Sequence, residues 1–337
     1  MKKISIKDIA RQAGVAPSTV SCVINGKAKE RRISDELARS IETIARKAGF
    51  RPNSTAVSLR TGKSNILGLI VEDISNPFFA TLAKAIEDEA YLHGYKLLYC
   101  STENNDSKGN ELVKTLLDQQ VDGFLITPCK GMKKSVADLL KQKKPVVLMD
   151  RHFPDIKASS VTVHNYKGVK EGMKHLAQKG YNNISFITID LDQVQMHERE
   201  NAYHDAVEEL GLPFSKVLKM SYDQPHQAFV DQIAGFIQEN PGADALFFAT
   251  NYLGVYGLES IGNLELSIPQ DLAIVCFDDH DFFKIYKPSI TVIEQPIHEM
   301  AVTAVGILIR NIESGNDADK KTNQEIKETR LIVRNST

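Results

Sequence analysis

Small hydroxyl side chains near the amino terminus are the first residues whose type and spacing indicate a chemistry. Ser18, Thr19 and Ser21 follow shortly after Gly14. Hydroxyls presented together on one short helix can reach the phosphates of DNA and the edges of its bases. A DNA-contacting surface is therefore the first functional hypothesis.

Adjacent carboxylates and two histidines raise the alternative of acid–base catalysis. Asp278 stands next to Asp279, and His164 and His280 are the histidines considered for such a role. Neighbouring residues on a strand point to opposite faces, so these carboxylates are poorly placed to act as a catalytic pair. The sequence contains no Gly-rich phosphate loop, no nucleophile elbow and no metal-ligand spacing among its nine histidines. We expect a protein that is not an enzyme and that requires neither a metal nor a cofactor.

Helical periodicity identifies the elements that must position the hydroxyls. Residues 6–13 place apolar side chains at the spacing of one helix face, and Gly14 ends that run. Pro17 suits the first position of a second helix, and Ser34 is a good N-cap for a third. Two short helices joined at a glycine-containing turn form a helix-turn-helix. Periodicity alone fits an ordinary helical hairpin as well, but the amino-terminal position and the local charge favour DNA binding.

The charge of the chain is unevenly distributed. Residues 1–63 contain 14 Lys and Arg against 5 Asp and Glu, a formal charge of +9, whereas the remainder carries −11 and the whole chain −2. A short charge run is commonly only a solvated face. A basic excess over the whole amino-terminal segment instead indicates a polyanion-binding module attached to an acidic body.

From residue 65 onward, apolar runs of strand length alternate with amphipathic helical stretches. The predicted strands are Ile66–Val71, Lys96–Cys100, Gly123–Thr127, Pro145–Met149, Ile184–Ile189, Ala245–Ala249 and Leu272–Phe277, with a last strand-like segment at Glu328–Val333. Such alternation is typical of doubly wound parallel sheets, and its length predicts two α/β lobes. The crevice outside the carboxyl ends of the strands is then the expected ligand site.

Three features bear on the cellular compartment. There is no apolar run long enough to cross a membrane, and the amino terminus lacks the apolar core of a secretion signal. The four cysteines lie far apart and form no disulfide framework. We expect a cytoplasmic protein with no membrane association.

A series of short motifs runs along nearly the whole chain. The amino-terminal motifs are Ile6-Lys7-Asp8-Ile9-Ala10, Ala13-Gly14-Val15, Ser18-Thr19-Val20-Ser21, Val23-Ile24-Asn25-Gly26, Gly49-Phe50-Arg51-Pro52-Asn53 and Ser58-Leu59-Arg60-Thr61-Gly62. The later motifs are Gly68-Leu69-Ile70-Val71, Asp73-Ile74-Ser75-Asn76-Pro77-Phe78-Phe79, Val121-Asp122-Gly123, Asp150-Arg151, Phe277-Asp278-Asp279 and Gln295-Pro296. In this order they resemble the LacI/GalR family of bacterial transcriptional regulators.

The resemblance implies a small all-α helix-turn-helix headpiece, a hinge helix, and a two-lobed α/β core like that of a periplasmic sugar-binding protein. The implied boundaries are 1–52 for the headpiece, 53–63 for the hinge, 64–163 with 296–323 for the amino-terminal lobe, and 164–295 with 324–337 for the carboxyl-terminal lobe. The family is typically a homodimer on a pseudo-palindromic operator, with a sugar or other small metabolite bound between the lobes. No leucine heptads follow the last predicted strand, so a dimer is the simplest expectation.

The resemblance places the base-reading positions of the second helix at Pro17, Ser18 and Cys22. Residue 22 is often an arginine in the family, which can pair with guanine, and Cys22 cannot. Cys22 therefore either packs as a small residue or touches a thymine methyl, while Pro17 shapes the start of the helix. The other matching DNA-contact positions are Ser5, Ile6, Lys7, Thr19, Ser21 and Asn25.

The resemblance gives the hinge its own DNA contact. Leu59 matches a leucine that wedges into the minor groove at the operator centre and kinks the duplex. Arg60 would lie beside it on the DNA backbone. The alternative is that Leu59 only packs the linker against the core.

In the core, the resemblance points to Arg199 and Asp278 as effector contacts. Both side chains can bind hydroxyls by charge-assisted hydrogen bonds, although they could instead pair with each other. The remaining candidates in the cleft are Phe78, Phe79, Asp150, Tyr222 and Asn251. The chain has no tryptophan, so a sugar would have to stack on Phe or Tyr. Tyr252 and His164 replace aspartates common in the family, which leaves the effector class open.

These observations favour a ligand-responsive DNA-binding regulator, and we expect a repressor. They leave open whether the effector weakens or strengthens operator binding. The alternative is a soluble ligand-binding sensor without operator-specific DNA binding. The charge of +9 and the expected absence of an export signal favour the regulator.

Overall fold

The computed structural model describes residues 4–50, 62–213, 215–314 and 322–337. The chain divides into two compact units, Met1–Ser64 and Asn65–Thr337. Each unit has a hydrophobic core of its own. None of the helices in the described ranges combines the length and the apolar character that crossing a membrane requires.

The described part of the first unit contains three helices. They are α1 (Ile6–Ala13), α2 (Pro17–Ile24) and α3 (Asp35–Lys47). Ser5 and Asp8 form a reciprocal capping box at the start of α1, and Gly14 ends α1 in the left-handed region, with φ of 67°. The Ser34 hydroxyl accepts a hydrogen bond from the Leu37 amide at 3.3 Å, which caps α3. The three helices predicted from periodicity are confirmed.

The core of the first unit consists of the apolar faces of these helices. Ile9 of α1, Val20 and Val23 of α2, and Ile41 and Ala45 of α3 are buried against one another. Since α2 buries its valines, its hydroxyl-bearing positions are left toward the surface. The glycine turn and this core together fix the direction in which α2 is presented.

The second unit consists of two six-stranded sheets covered by helices. In chain order the strands are β1 (Ile66–Val71), β2 (Lys96–Ser101), β3 (Gly123–Ile126), β4 (Val146–Met149), β5 (Ser159–Val163), β6 (Ile184–Ile189), β7 (Lys216–Met220), β8 (Ala245–Phe248), β9 (Ala273–Phe277), β10 (Thr291–Glu294), β11 (Gln324–Lys327) and β12 (Arg330–Ile332). The helices are α4 (Pro77–Leu92), α5 (Asp106–Asp118), α6 (Lys133–Lys141), α7 (Asn165–Gln178), α8 (Val194–Glu209), α9 (His226–Glu239), α10 (Asn251–Asn263), α11 (Asp281–Ile285) and α12 (Ile297–Glu313), with a 3₁₀ turn at Lys130–Met132.

The order of the strands defines the two lobes. The first sheet has the order β11-β5-β4-β3-β1-β2 and is parallel throughout. The second has the order β12-β10-β9-β8-β6-β7 and is parallel except for β12, which pairs antiparallel with β10. Apolar clusters cover both faces of each sheet, so the central strands are buried as continuous apolar runs. The prediction of two doubly wound α/β lobes is confirmed.

One predicted lobe boundary is wrong. Residues 324–337 were expected in the carboxyl-terminal lobe, but Gln324–Lys327 pairs with Ser159–Val163 at the edge of the first sheet. The chain crosses to the second sheet only before Arg330–Ile332, which pairs with β10. The parallel pairing with β5 extends the first sheet, and a prediction based on continuous apolar runs could not detect it because β11 is polar and exposed.

Candidate functional site

The surface of α2 presents the hydroxyl residues singled out in the sequence. Pro17 and Ser18 are exposed, and Thr19, Ser21 and Cys22 are partly exposed. Ala16 is the N-cap and makes no side-chain hydrogen bond, and Pro17 is the first helical residue, which supports its role in shaping the helix start. The face of α2 that includes these residues is therefore available for contact with a polyanion.

Three further DNA-contact candidates lie at the start of α1, and a fourth follows α2. Lys7 is exposed on its first turn, and Ile6 is partly exposed. The Ser5 hydroxyl is 2.6 Å from an Asp8 carboxylate oxygen, so it already serves the helix cap. Asn25, beyond the end of α2, donates from its side-chain amide to the Ser21 carbonyl at 2.5 Å. Ser5 and Asn25 thus have structural roles that a DNA contact would have to share.

The hinge candidates Leu59 and Arg60 lie outside the described residues. The same holds for most of the predicted hinge helix at 53–63, and the wedge interpretation stays a prediction.

The second unit has a cleft between its lobes, at the carboxyl ends of the strands. Its volume, including the opening to solvent, is about 410 Å³. The lining residues are Glu72, Asn76, Phe78, Phe79, Asp150, Leu191, Gln193, Gln195, Met196, Arg199, Thr250, Tyr252 and Asp278. We call this space the interlobe cleft.

Two buried aspartates occupy equivalent positions in the two lobes. Asp150 directly follows β4 and Asp278 directly follows β9, with φ of 66° and 73°. The Asp150 amide donates to the Val161 carbonyl at 3.0 Å, and the Asp278 amide donates to the Ile293 carbonyl at 2.9 Å. Each bond ties the aspartate to the next strand of its own sheet, so the left-handed backbone at both positions brings a carboxylate from each lobe to the cleft.

Burial raises the pKa of both aspartates. The pKa of Asp150 rises to about 6 because its carboxylate is desolvated, although Arg151 and Arg199 act in the opposite direction. Desolvation likewise raises the pKa of Asp278, against the effect of Arg199 and of a hydrogen bond from Gln295 Nε2 at 2.5 Å. These carboxylates are costly to bury, which is typical of groups retained for a function.

Arg199 extends from α8 and is almost completely buried beside Asp278. Its Nε donates to Asn165 Oδ1 at 2.9 Å, and its Nη1 donates to the Ala249 carbonyl at 2.7 Å. Its guanidinium lies 3.7 Å from the ring centroid of Phe277, and its Nη1 is 4.0 Å from Asp278 Oδ2. The guanidinium is therefore fixed by a stack and two hydrogen bonds rather than by close pairing with the aspartate.

Two charged residues of the cleft region, Glu72 and Arg151, were not among the predicted effector contacts. Glu72 follows β1, and its carboxylate forms a buried ion pair with Arg151. Arg151 Nε is 3.5 Å from Asp150 Oδ2, so this pair neutralises part of the cleft. Arg151 belongs to the Asp150-Arg151 motif, but its partner lies 79 positions away in sequence, and no local pattern signals that pairing.

The cleft combines this charged group with apolar walls. Phe78 and Phe79 begin α4, and their rings meet edge to face with centroids 5.0 Å apart. The Asn76 side chain caps α4 by accepting a hydrogen bond from the Phe78 amide at 3.0 Å, which holds the first turn against the cleft. Gln195 Oε1 and Arg151 Nε are buried without a hydrogen-bond partner in the described part of the chain. The site can therefore offer both an apolar surface and polar groups to one ligand.

Two predicted residues lie beside the cleft lining rather than in it. The Asn251 side-chain amide donates across the lobes to Asn76 Oδ1 at 3.0 Å, and its own oxygen accepts from the Tyr252 amide at 2.7 Å. Tyr222 packs against the core of the second lobe, and its burial, together with the negative charge of Glu72, raises its pKa. Tyr252, at a position where the family often has aspartate, lines the cleft itself.

Comparisons with known proteins agree with both units. Residues 5–53 match the bacterial regulatory proteins of the lacI family, and residues 173–337 match the periplasmic binding protein-like domain. The chain is 31% identical over 337 residues to the HTH-type transcriptional regulator KdgR of Bacillus subtilis, covering 98% of this chain and 97% of the relative. It is 27% identical over 310 residues to the ribose operon repressor of Escherichia coli, covering 91% and 93%.

The fold matches solved structures over the full length. A Lac repressor dimer bound to operator and the anti-inducer ONPF aligns with a TM-score of 0.86 at 19% identity, covering 100% of this chain and 99% of that one. A complex of the transcriptional regulator CelR with cellobiose aligns with a TM-score of 0.70 at 21% identity, covering 99% and 100%. The resemblance found in the sequence is confirmed, and the chain belongs to the lacI family of bacterial regulatory proteins.

Proposed function

We propose that the protein is a repressor that binds a pseudo-palindromic operator as a homodimer and whose operator affinity is controlled by a sugar or sugar derivative in the interlobe cleft. The observation that carries the effector proposal is the pairing of fixed charged groups with aromatic walls. Arg199, Asp150 and Asp278 can exchange hydrogen bonds with hydroxyls, while Phe78 and Phe79 can cover the C–H face of a sugar ring.

The DNA-binding part of the proposal rests on the exposed side of the headpiece. Ser18, Thr19, Ser21 and Cys22 of α2 are assigned to the operator, and Lys7 to a phosphate. Ser5, Ile6, Pro17 and Asn25 complete the proposed contact set within the described residues.

The mechanism is a linkage between two sites. A ligand that contacts both lobes favours one relative orientation of the lobes, and it changes operator affinity to the extent that this orientation favours or disfavours the DNA-bound dimer. We assign binding rather than turnover to the cleft. Asp278 accepts from Gln295, whereas Asp279 pairs with Arg334 at 2.7 Å, so the two adjacent carboxylates serve different partners.

Substitution of the cleft charges tests the effector proposal. A thermal-shift screen of sugars and sugar derivatives identifies a binder, since a ligand at 100 times its Kd adds about 2.7 kcal/mol of stability. Asp278→Ala and Arg199→Ala should then each weaken that ligand by roughly 5–150-fold, because removing one partner of a buried charged hydrogen bond costs about 1–3 kcal/mol. Calorimetric titration measures the loss.

Asp281→Ala is the matched control. Asp281 is exposed three residues beyond Asp278 and pairs with Lys284 at 2.9 Å on the surface, so its loss should leave ligand affinity unchanged. Thermal melts without ligand establish that each variant folds. An unchanged Kd in both folded cleft variants would refute the assignment of the cleft.

A further inference from the structure

A short loop of the second lobe lines the interlobe cleft and also contacts the first lobe. We call Asp190–Gln193, which joins β6 to α8, the gate loop. Leu191 and Gln193 line the cleft, whereas Asp192 between them pairs with Lys130 of the first lobe. Lys130 begins the 3₁₀ turn after β3, so this ion pair joins the two lobes directly.

A second polar contact joins the gate loop to the first lobe. Gln193 Nε2 donates to Asn104 Oδ1 at 2.9 Å, and Gln195 Nε2 donates to Gln193 Oε1 at 2.9 Å, which fixes the Gln193 amide. Asn104 lies beyond the end of β2, and Arg151 Nη1 is 3.4 Å from the same oxygen. The loop is therefore held from its cleft side by an amide pair and from its outer side by an ion pair.

The charges around Asp192 favour the pairing. Asp192 Oδ1 is also hydrogen-bonded to His197 Nε2 of the same lobe at 2.9 Å. The hydrogen bond with Lys130, followed by the weaker effect of the bond with His197, lowers the pKa of Asp192 to about 2. The same bond with Asp192 raises the pKa of Lys130, and the negative charge of Asp106 in the first lobe raises it further. Lys130 and Asp192 thus stay oppositely charged at neutral pH.

The chain crosses between the two lobes three times, and these crossovers form the pivot about which the lobes can move. They leave from β5, β10 and β11, which lie at or next to one edge of their sheets. The gate loop and its partners Asn104 and Lys130 instead follow β6, β2 and β3, which belong to the opposite half of each sheet. For a given rotation of the lobes, two groups far from the pivot separate further than two groups beside it. A few contacts at the gate loop are therefore enough to favour the closed orientation.

We propose that Lys130, Asn104 and the gate loop form an interlobe latch that holds the cleft closed and slows exchange of its contents with solvent. A regulatory role for the latch rests on the proposed effector function. The fraction of molecules with a closed cleft matters for operator affinity only if a ligand in the cleft controls that affinity. The latch itself can be tested without any effector, so failure of the latch and failure of the effector assignment are separable.

Oxidation of Met196 by hydrogen peroxide, followed by mass spectrometry of the full-length protein, reports cleft opening. Met196 lines the cleft and is only 8% exposed, so its thioether reacts when the lobes part. Lys130→Ala and Asp192→Ala should each speed its oxidation roughly two- to five-fold, the range expected for an exposed ion pair. Salt at 1 M should do the same to the wild type, because screening then acts within about 3 Å.

Two sets of controls keep the result specific. Lys133 and Asp155 form an ion pair of similar exposure within the first lobe, so Lys133→Ala and Asp155→Ala should leave Met196 oxidation unchanged. Met173 and Met300 are buried in the two lobe cores and should react equally slowly in every variant. The double variant Lys130→Ala with Asp192→Ala should oxidise Met196 no faster than either single variant, because both changes remove the same ion pair.

Other outcomes overturn the latch. The first is unchanged Met196 oxidation in both interlobe variants, and the second is equal acceleration in the Lys133 and Asp155 variants. The third is acceleration of Met173 or Met300 in parallel, and the fourth is a double variant whose acceleration is the product of the two single effects.

Discussion

At the residue scale, the cleft keeps a buried carboxylate that lowers the stability of the folded state. The folded pKa of Asp150 is about 6, against an ordinary value of 3.8. A raised pKa means that the folded protein binds the proton more tightly than the unfolded chain does. Stability is therefore lost as pH rises from about 4 to 6, and the deficit persists above that range at about 3 kcal/mol.

Asp150→Asn should stabilise the unliganded protein at neutral pH. Asparagine removes the buried charge and tolerates the left-handed backbone that the structure shows at residue 150. We expect a higher melting temperature than the wild type at pH 8 and a shrinking difference as the pH approaches 4, while affinity for a sugar effector falls. Thermal unfolding of both proteins across this pH range measures the difference.

Asp118→Asn serves as the control for this prediction, because Asp118 is exposed at the end of α5 and should show no such pH-dependent gain. A variant at residue 150 that is less stable than the wild type at pH 8 would mean that the interactions of the carboxylate with Arg151 and Arg199 outweigh its desolvation.

Single residues also show how far the sequence predicts the site. Phe78, Phe79, Asp150, Arg199 and Asp278 line the cleft, and all five were identified through family motifs. The pairing of Glu72 with Arg151 and the contact of Gln193 with Asn104 could not be predicted, because each joins residues that are far apart in sequence. Local spacing carries no information about such contacts.

At the scale of elements, the helices of the core pack closely against their sheets. Gly257 on α10 faces Phe248 at the end of β8, and a Cβ at residue 257 would lie 2.1 Å from Phe248 Cζ. A real side chain never comes so close, so the phenylalanine would have to move within a filled core. The glycine is therefore required by the approach of helix to strand and not by its backbone angle.

Gly257→Ala should destabilise the second unit by about 1–3 kcal/mol through overpacking. Gly262→Ala on the same helix is the matched control, because a Cβ there meets nothing within 4 Å and its φ is not positive. Alanine at residue 262 should be neutral or stabilising by up to about 1 kcal/mol, since it has the higher helix propensity. Urea unfolding of both variants compares them, and equal stabilities would contradict the close packing of α10.

The strands show where pattern reading succeeds. The seven strands predicted from apolar runs all exist, with ends that shift by a residue at most, and the strand-like segment Glu328–Val333 contains the shorter β12. The other four, β5, β7, β10 and β11, were not predicted. Ser159–Val163 is fully buried although it contains serine and threonine, and Gln324–Lys327 is a largely exposed edge strand. Their pairing partners, rather than their own composition, determine that they are strands.

At the scale of the whole molecule, charge separates the unit that binds DNA from the unit that responds to a ligand. The first 63 residues carry +9 and the remainder −11. Repulsion between the acidic body and the phosphates restricts DNA contact to the headpiece, while cations in the headpiece displace counterions from the duplex. Operator affinity should therefore depend steeply on salt, and the dependence should originate in the first unit.

The expected size of the salt dependence follows from the number of phosphates neutralised. On the order of 6–10 phosphate contacts per dimer would reduce affinity by about 10³–10⁵ between 50 and 200 mM salt. Removal of Met1–Ser64 should abolish DNA binding while leaving ligand binding intact, because Asn65–Thr337 is a compact unit with its own cores. Fluorescence anisotropy on DNA selected from a random pool measures the salt dependence and the loss of DNA binding, and calorimetric titration measures ligand binding by the truncated protein. DNA affinity that does not change with salt would contradict the charge-based assignment.

Individual lysines refine the same prediction. Lys7 is exposed on the first turn of α1 in the basic unit, where it can neutralise a DNA phosphate. Lys7→Ala should therefore make the negative slope of log K against log salt shallower by about one for each phosphate contact that is lost. Lys114→Ala removes the same charge from the exposed side of α5 in the acidic unit and should leave the slope unchanged. Equal slopes for the two variants would show that net charge, and not the headpiece surface, governs binding.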